Sequence, residues 1–458
     1  MNILILGAGQ VGTSVAAALA RENNDITVVD TDAGKLAELR DKIDLRTVHG
    51  FASHPRVLAR AGAEDADLVV AVTSSDEVNI VACEVAASLF STPTRIARVR
   101  QTDYLRHPEL FTSKRLAVDV QISPEALVTR HVQRLIEYPG ALQVLEFADG
   151  RAQLVGMRAV SGGALVGHEL RELPTHLPAG VEVRVVAIFR QGRSISPEGS
   201  TVLEEDDDVF FLSDKKNLRA MMAELRRAEK PARRIMLAGG GNIGRALAQA
   251  LEKQYMVKVV ERSRERVKQI AEDLQTAIVL VGDCADEDLL REENIDQTDV
   301  YCALTNDDEA NILSSMLAKR LGAKRTISLI NRPAYAELVE SGMIDIAVSP
   351  QQITLSALLS HVRQGNMARV HTLRRGAAEA IEAVALGDRS SSPLVGRRID
   401  EVVLPPGTII GGLVRGDRFL QAHHDSLIER DDHVILFVSN RRHVRDVELL
   451  FRVRPTAL

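Results

Sequence analysis

The chain of 458 residues contains no tryptophan, and aromatic side chains make up only 3% of it. A stacking platform for nucleic-acid bases is therefore not expected. Charge points the same way. The 57 Lys and Arg against 63 Asp and Glu leave a net charge of −6, which is no general footprint for nucleic acid. The basic pairs Arg226-Arg227 and Arg233-Arg234 read as part of a solvated linker. Cysteine is scarce as well. Cys83, Cys284 and Cys302 are odd in number and show no C-x-x-C spacing, so reduced core thiols are expected rather than disulfides or a metal site. No apolar run approaches the roughly 18 residues that a membrane-spanning helix requires. The first residues enter a strand pattern directly, without the look of a signal peptide. A soluble protein is expected, reaching any membrane through a partner.

Glycine, by contrast, is placed with a pattern. Ile5-Leu-Gly-Ala-Gly-Gln-Val-Gly12 reads G-x-G-x-x-G, and Leu237-Ala-Gly-Gly-Gly-Asn-Ile-Gly244 repeats it at an offset of 239 − 7 = 232. Each copy follows a strand-like run (Asn2–Leu6; Arg234–Leu237) and opens an Ala/Leu-rich helix (Thr13–Arg21; Arg245–Lys253). That is the context of a dinucleotide-binding turn. The first glycine permits the turn, the second lets backbone approach a pyrophosphate, and the third lets helix and strand pack closely. The diphosphate then lies at a helix N-terminus, where unpaired N–H groups and the helix dipole favour an anion. A second strand ends in an acid in both copies, Asp30 and Glu261, near the spacing of the group that takes the adenosine ribose.

Alternating strands and helices continue through Ala66–Thr73, Ser74–Leu89 and Arg95–Arg100, which predicts a doubly wound parallel sheet. Ligands of such sheets bind outside the carboxyl ends of the strands. In the first copy that rule selects Gly7, Ala8, Gly9, Gln10, Val11, Gly12, Asp30, Gly50, Phe51, Thr73, Ser74, Arg98 and Arg100. In the second it selects Gly239, Gly240, Gly241, Asn242, Ile243, Gly244, Glu261, Gly282, Asp283, Thr305 and Asn306. Thr73 and Thr305 could serve as helix caps or as ligand contacts. Arg98 and Arg100 could be surface charges or phosphate contacts.

Length alone predicts about three domains, and the internal repeat sharpens this to four parts. Ser123–Glu137 reads as a helix leaving the first sheet. From about Ala141 short strands and turns replace the periodic helices: Val144–Phe147, Leu154–Val160, Val181–Arg190 and Val209–Leu212, closed by a charged helix Lys215–Arg227. Glu204-Glu-Asp-Asp-Asp208 lacks a D-x-D-x-D-G calcium loop and reads as a solvated turn. Glu229–Arg234 reads as a linker, after which the plan recurs. Leu394-Val-Gly396 matches Leu165-Val-Gly167, and Asp345–Pro350 matches Asp119–Pro124. The expected parts are a Rossmann domain at 1–123, a small α+β module at 140–228, a second Rossmann domain at 232–349 and a second small module at 370–458.

Ala71-Val-Thr-Ser-Ser-Asp-Glu-Val-Asn79 and Ala303-Leu-Thr-Asn-Asp-Asp-Glu-Ala-Asn311 repeat at the 232 offset. With the tandem Rossmann units and the trailing L-V-G modules, they resemble the family of domains that regulate potassium transport and conductance. The resemblance covers essentially the whole chain. It implies a cytosolic regulatory subunit that binds NAD or NADH, with ATP or ADP as further ligands of the same sites. It implies a homo-oligomeric ring, expected as a tetramer, held at the cytoplasmic face of the inner membrane by an integral-membrane potassium-translocating subunit.

The competing reading is an NAD-dependent oxidoreductase. An enzyme needs a substrate domain and an acid or base beside the nicotinamide. Here only small modules follow each Rossmann unit, and His49, His54 and His107 read as surface or helix-edge residues. His423-His424 has Glu198-Gly199 in its place in the first copy and is discounted as a metal site. Neither a catalytic residue nor a bound metal is predicted. The two nucleotide sites are expected to differ. Asp30 is short and would repel a 2′-phosphate, whereas Glu261 is followed by Arg262 and Arg264, and Ile330 stands where the first copy has Arg98.

Overall fold

A computed structural model describes residues 1–21, 24–111, 115–226, 231–332, 334–335, 344–362, 367–373 and 378–453. Residues 227–230 of the predicted linker region lie outside them. The chain forms two compact units: Met1–Leu127 with Pro350–Val362, and Val128–Ser349 with Arg363–Leu458.

The first unit is built on six parallel strands: β1 (Asn2–Leu6), β2 (Asp25–Asp30), β3 (Arg46–His49), β4 (Leu68–Ala71), β5 (Thr94–Arg98) and β6 (Val120–Ile122), in the order β3-β2-β1-β4-β5-β6. Such strands are covered on both faces and therefore read as continuous apolar runs. Leu68–Ala71 is buried at every position. The helix Gln10–Ala20 turns Val15, Ala16 and Leu19 inward. It also meets the helix Pro350–Val362, with Ser14 Oγ 3.5 Å from Gln351 Oε1. The order reverses at β1, whose Leu6 pairs with Val29 of β2 on one side and Ala71 of β4 on the other, and the switch point between β1 and β4 is where the ligand crevice of the fold lies.

The second unit contains the repeat of that sheet: β12 (Arg234–Ala238), β13 (Met256–Glu261), β14 (Ile278–Val281), β15 (Val300–Ala303), β16 (Arg325–Leu329) and β17 (Ile346–Val348), ordered β14-β13-β12-β15-β16-β17. It also holds two five-stranded sheets. One consists of β7 (Ala141–Phe147), β8 (Ala152–Arg158), β9 (Val183–Arg190), β10 (Arg193–Ile195) and β11 (Asp208–Ser213). The other consists of β18 (Met367–Leu373), β19 (Ala378–Val384), β20 (Thr408–Arg415), β21 (Arg418–Gln421) and β22 (His433–Val438). Their pairing is antiparallel throughout. The two small sheets share a core in which Phe147, Phe189 and Phe210 of one pack with Leu373, Val414 and Phe437 of the other. The fold class is the duplicated doubly wound architecture with small α+β modules that the sequence predicts.

Two local readings need correction. The run 204–208 is a solvated turn only in its first part: Glu204, Glu205 and Asp206 are exposed, but Asp207 and Asp208 are buried. Arg190 grips Asp207 with both ends of its guanidinium, Nε to Oδ1 and Nη2 to Oδ2, each at 2.8 Å, while Arg158 Nε bonds Asp208 at 2.9 Å. Arg415 and Asp432 repeat the first clamp at 2.8 Å. A run of carboxylates looks solvated in sequence because its cations come from strands 17 or more residues away. The helix Gln10–Ala20 also starts earlier than Thr13, since Gly9 itself is its N-cap.

Candidate functional site: two glycine turns at strand ends

Each turn has the backbone that glycine alone adopts freely. Gly7 has φ +110° and Gly239 φ +107°, the region in which a side chain is strained. The third glycine is required by contact. A Cβ at Gly12 would stand 1.8 Å from the Gly7 carbonyl oxygen, and one at Gly244 1.9 Å from that of Gly239. The second glycine differs in kind: a Cβ at Gly9 or Gly241 would meet nothing within 4 Å. Packing therefore does not explain those two glycines, whereas the approach of a ligand would.

Gly9 and Gly241 are extended N-caps, and neither of their helices has a side-chain cap. The neighbouring helices are capped, by Asp32, Ser75, Ser263 and Asp307. The two helix ends beside the glycines thus keep first-turn N–H groups that a side chain does not satisfy, and these form an anion-binding geometry.

The strand-end acids lie against the turns. Asp30 accepts from Ala8 N at 2.6 Å and from Asp32 N at 2.8 Å. Glu261 accepts from Gly240 N at 2.9 Å and from Ser263 N at 2.8 Å, with Arg266 Nη1 3.5 Å away. Burial pushes the Glu261 carboxyl up, but the two amide bonds and the Arg266 charge outweigh it and hold its pKa below the usual value. Asp30 stays partly open, while Glu261 is 7% exposed. The difference arises at Gly240, where a Cβ would strike Ile270 Cδ1 at 2.3 Å. Ala8 holds the equivalent place in the first copy, so the second turn is the more crowded.

The remaining predicted residues divide. Gly50 and Gly282 continue the strand ladder, their N–H groups bonding Asp30 and Glu261 carbonyls. Their lack of a side chain makes room for the next helix, since a Cβ would meet Val57 at 2.7 Å or Leu289 at 2.3 Å. Phe51 is exposed and stacks on His54 with ring centroids 5.1 Å apart. Thr73 and Thr305 are not helix caps, since Ser75 and Asp307 are. The Thr73 hydroxyl donates to Asn79 Oδ1 at 2.7 Å, and that of Thr305 to Asn311 Oδ1 at 2.6 Å.

Arg98 is neither a free surface charge nor a free crevice cation. Its Nη2 lies 3.9 Å from Glu125 Oε1, and its Nε is shut from water with no hydrogen-bond acceptor. Burial lowers its pKa against the pull of Glu125. Arg100 reaches Asp76 at 3.7 Å and the Ser74 carbonyl. Asn331 takes the place of Arg100, and Arg332 that of Gln101, since each pair of amides bonds the same motif aspartate; Arg332 bonds Glu309 at 3.0 Å and lies over the Tyr335 ring. Ile330 is buried.

Sequence reasoning left four residues off the site. Asn79 and Asn311 are fully buried and pin the ends of two strands together. Asn79 holds Thr73 N at 2.9 Å and donates to the Arg98 carbonyl at 2.9 Å, and Asn311 does the same for Thr305 and the Leu329 carbonyl. Asp76 and Asp308 accept from Arg100 N and Arg332 N, each at 2.8 Å. All four stand in the repeated motif. The signal that marks them is polar identity kept at a helix face that should pack on the sheet.

Comparison with known proteins follows this geometry. The TrkA-N domain family matches residues 3–124 and 235–350, and the TrkA-C domain family residues 154–226 and 389–451. The chain is 56% identical over 456 residues to a Trk system potassium uptake protein TrkA of Vibrio alginolyticus, covering 99% of each. It is 57% identical over 456 residues to that of Halomonas elongata, covering 100% of each. The solved GsuK RCK domain superposes with TM-score 0.62 at 20% identity, over 98% of this chain and 95% of that one. The GsuK channel bound to NAD gives 0.61 at 20% identity, over 98% of this chain and 78% of that one. At such identities these structures share the fold.

Proposed function

The chain belongs to the family of Trk system potassium uptake proteins, and from that premise we propose that it is the nucleotide-binding regulatory subunit of a potassium transporter. NAD or NADH occupies the two glycine turns, with ATP or ADP competing through the adenosine half. In the first copy Gly7–Gly12 cradles the pyrophosphate, Asp30 accepts the ribose hydroxyls, and Phe51, Thr73 and Ser74 border the crevice. In the second Gly239–Gly244 and Glu261 take the corresponding roles, bordered by Asp283, Thr305 and Asn306. Ribose binding competes with the amide bonds that these acids make, so ligand entry and the turn's own hydrogen bonds are coupled. A nucleotide shifts a conformational equilibrium only by its differential affinity for the two states. The protein acts on potassium flux by that route, without chemistry on the nucleotide. Its partner is an integral-membrane potassium-translocating subunit. It assembles as a tetrameric ring of copies on the cytoplasmic face of the membrane. Among the described residues no helix is long and apolar enough to cross a membrane, in keeping with attachment through that partner. No nucleic acid is involved.

The observation that carries this reading is the pair of uncapped helix starts with open space at Gly9 and Gly241. Calorimetric titration of the full chain with NAD, NADH, ATP and ADP tests it. Saturable binding without consumption of the nucleotide is expected. Absence of binding by all four, or steady oxidation or reduction of the cofactor with a small substrate, overturns it.

A further inference from the structure

The first small module carries a cluster of ligating side chains that the nucleotide crevice does not use. His168, Glu172 and His176 each present one ligand atom, and these atoms lie within 4.8 Å of one another. The His168 and His176 rings stand edge to face with centroids 5.5 Å apart. His168 Nδ1 is 3.0 Å from Glu172 Oε2, and His176 Nδ1 is 3.2 Å from Glu224 Oε2. That Glu224 oxygen is shut from water and accepts no hydrogen bond.

Local structure explains the convergence. Leu170 and Leu173 are buried in the module core, and the turns Leu170–Glu172 and Leu173–His176 follow one another. Residues 168, 172 and 176 are four apart, and on helical turns that spacing shares a side. Glu172 is fixed by its second oxygen, which accepts from Glu169 N at 3.2 Å. Glu224 arrives from the helix Leu218–Leu225.

The other small module keeps the scaffold and lacks the ligands. Gly167 and Gly396 both donate to the following strand region, at Leu203 and Ile428, and Glu401 repeats the capping of Glu172. Arg397, however, stands at the place of His168. The chain passes from Glu401 to Leu404 in 404 − 401 = 3 steps, where the first copy takes 177 − 172 = 5 from Glu172 to Leu177. The turn that bears His176 therefore has no equivalent. Val447 and Phe451 fill the places of Met221 and Leu225, which puts Leu450 at Glu224. The module folds without this constellation, and exposed His–Glu pairs contribute little as ion pairs.

We propose that His168, Glu172, His176 and Glu224 form a site for one divalent transition-metal ion of the zinc class. Two imidazoles with two carboxylates suit zinc rather than calcium or magnesium, which take oxygen ligands. Tetrahedral zinc with bonds of about 2.0–2.2 Å sets ligand atoms roughly 3.3–3.5 Å apart, within the 4.8 Å span of the His168, Glu172 and His176 atoms, and Glu224 Oε2 already lies 3.2 Å from His176 Nδ1. The ion would tie the 168–176 turn to the last turn of the helix that closes the module. Zinc takes imidazole in its neutral form, so binding releases protons and acid weakens it.

The test uses the full chain, stripped with EDTA and titrated with zinc chloride by calorimetry and with cobalt by visible absorption. One equivalent per chain is expected. His168→Ala and His176→Ala should each weaken it by more than the roughly 10- to 100-fold that loss of an outer partner costs. Glu224→Gln, which keeps size and surface, should weaken it too and shift the cobalt spectrum. A His423→Ala/His424→Ala chain, altered at the adjacent histidine pair, should bind like the unmodified one. Metal-free thermal unfolding of each variant separates ligand loss from misfolding. Zinc binding of equal affinity and stoichiometry in the His168→Ala/His176→Ala chain, or no binding by the unmodified chain beyond what that variant shows, overturns the proposal.

Discussion

At Gly9 a single Cβ separates folding from binding. The space there is open, so Gly9→Val should leave a folded protein while filling the volume a pyrophosphate needs. We expect nucleotide affinity at that turn to fall at least about a hundredfold. Gly241→Val should cost the chain less binding if, as we propose, the second turn is the weaker site. Leu329 stands at the place of Arg98, but Arg98 is engaged by Glu125, so the ranking rests on the crowding at Gly240, where a Cβ would strike Ile270. Glu261 is also the more buried acid and already faces Arg266. Calorimetry on the two full-length variants decides this, and an equal or larger loss in Gly241→Val contradicts the ranking. Asp30 sets cofactor choice on the same account. Its carboxylate would repel a 2′-phosphate, so Asp30→Ala should narrow the preference for NADH over NADPH. An unchanged ratio in competition titrations would remove Asp30 from the ribose site.

Among the elements, the acid-rich turn before β11 makes the firmest stability claim. Asp207 is fully buried between Arg190 and the Glu204 amide. Asp207→Ala leaves Arg190 without its fork, and breaking such a buried pair costs about 3–5 kcal/mol. Arg190 keeps some contact with water, so the low end is expected in urea unfolding, and a change under about 1 kcal/mol would show the clamp to be ornamental. A pH dependence arises from His131, on the helix Pro124–Glu137, and His371, on β18. Burial lowers both imidazole pKa values to about 4. The unfolded chain takes up protons near pH 6.5 while the folded chain does not, so stability is full above that pH and declines from about 6.5 towards 4. The loss is at most about 3 kcal/mol per histidine. Equal urea midpoints at pH 7.5 and pH 5 would refute it. At this scale the sequence was legible where period and turn chemistry agree. The apolar strands, the glycine turns and the 232-residue repeat all announce themselves. What stayed hidden depends on partners distant in sequence. The Asp207 and Asp432 clamps, the Asn79 and Asn311 pins and the pairing of Arg98 with Glu125 are of this kind. The His168–Glu172–His176 spacing was invisible until the turn proved helical, and Glu224 lies 224 − 176 = 48 residues further on.

For the whole molecule, the division into compact units limits how the protein can be dissected. The helix Pro350–Val362 belongs with the first Rossmann sheet and the chain from Val128 onward with the second unit. A cut near residue 228 would strip the first sheet of a helix whose Leu358 and Leu359 are buried, so site-directed changes in the intact chain are the better separation. The central claim is that nucleotide bound at the two glycine turns controls potassium movement through a membrane partner. Its most direct measurement is potassium flux into vesicles holding the integral-membrane translocating subunit, with this chain added, as NADH, NAD, ATP or ADP is varied. With the unmodified chain, flux should change on nucleotide addition, and with Gly9→Val/Gly241→Val that response should vanish while the protein still joins the complex. A nucleotide response that persists undiminished in the double variant, or flux indifferent to all four nucleotides with the unmodified chain, would contradict the account.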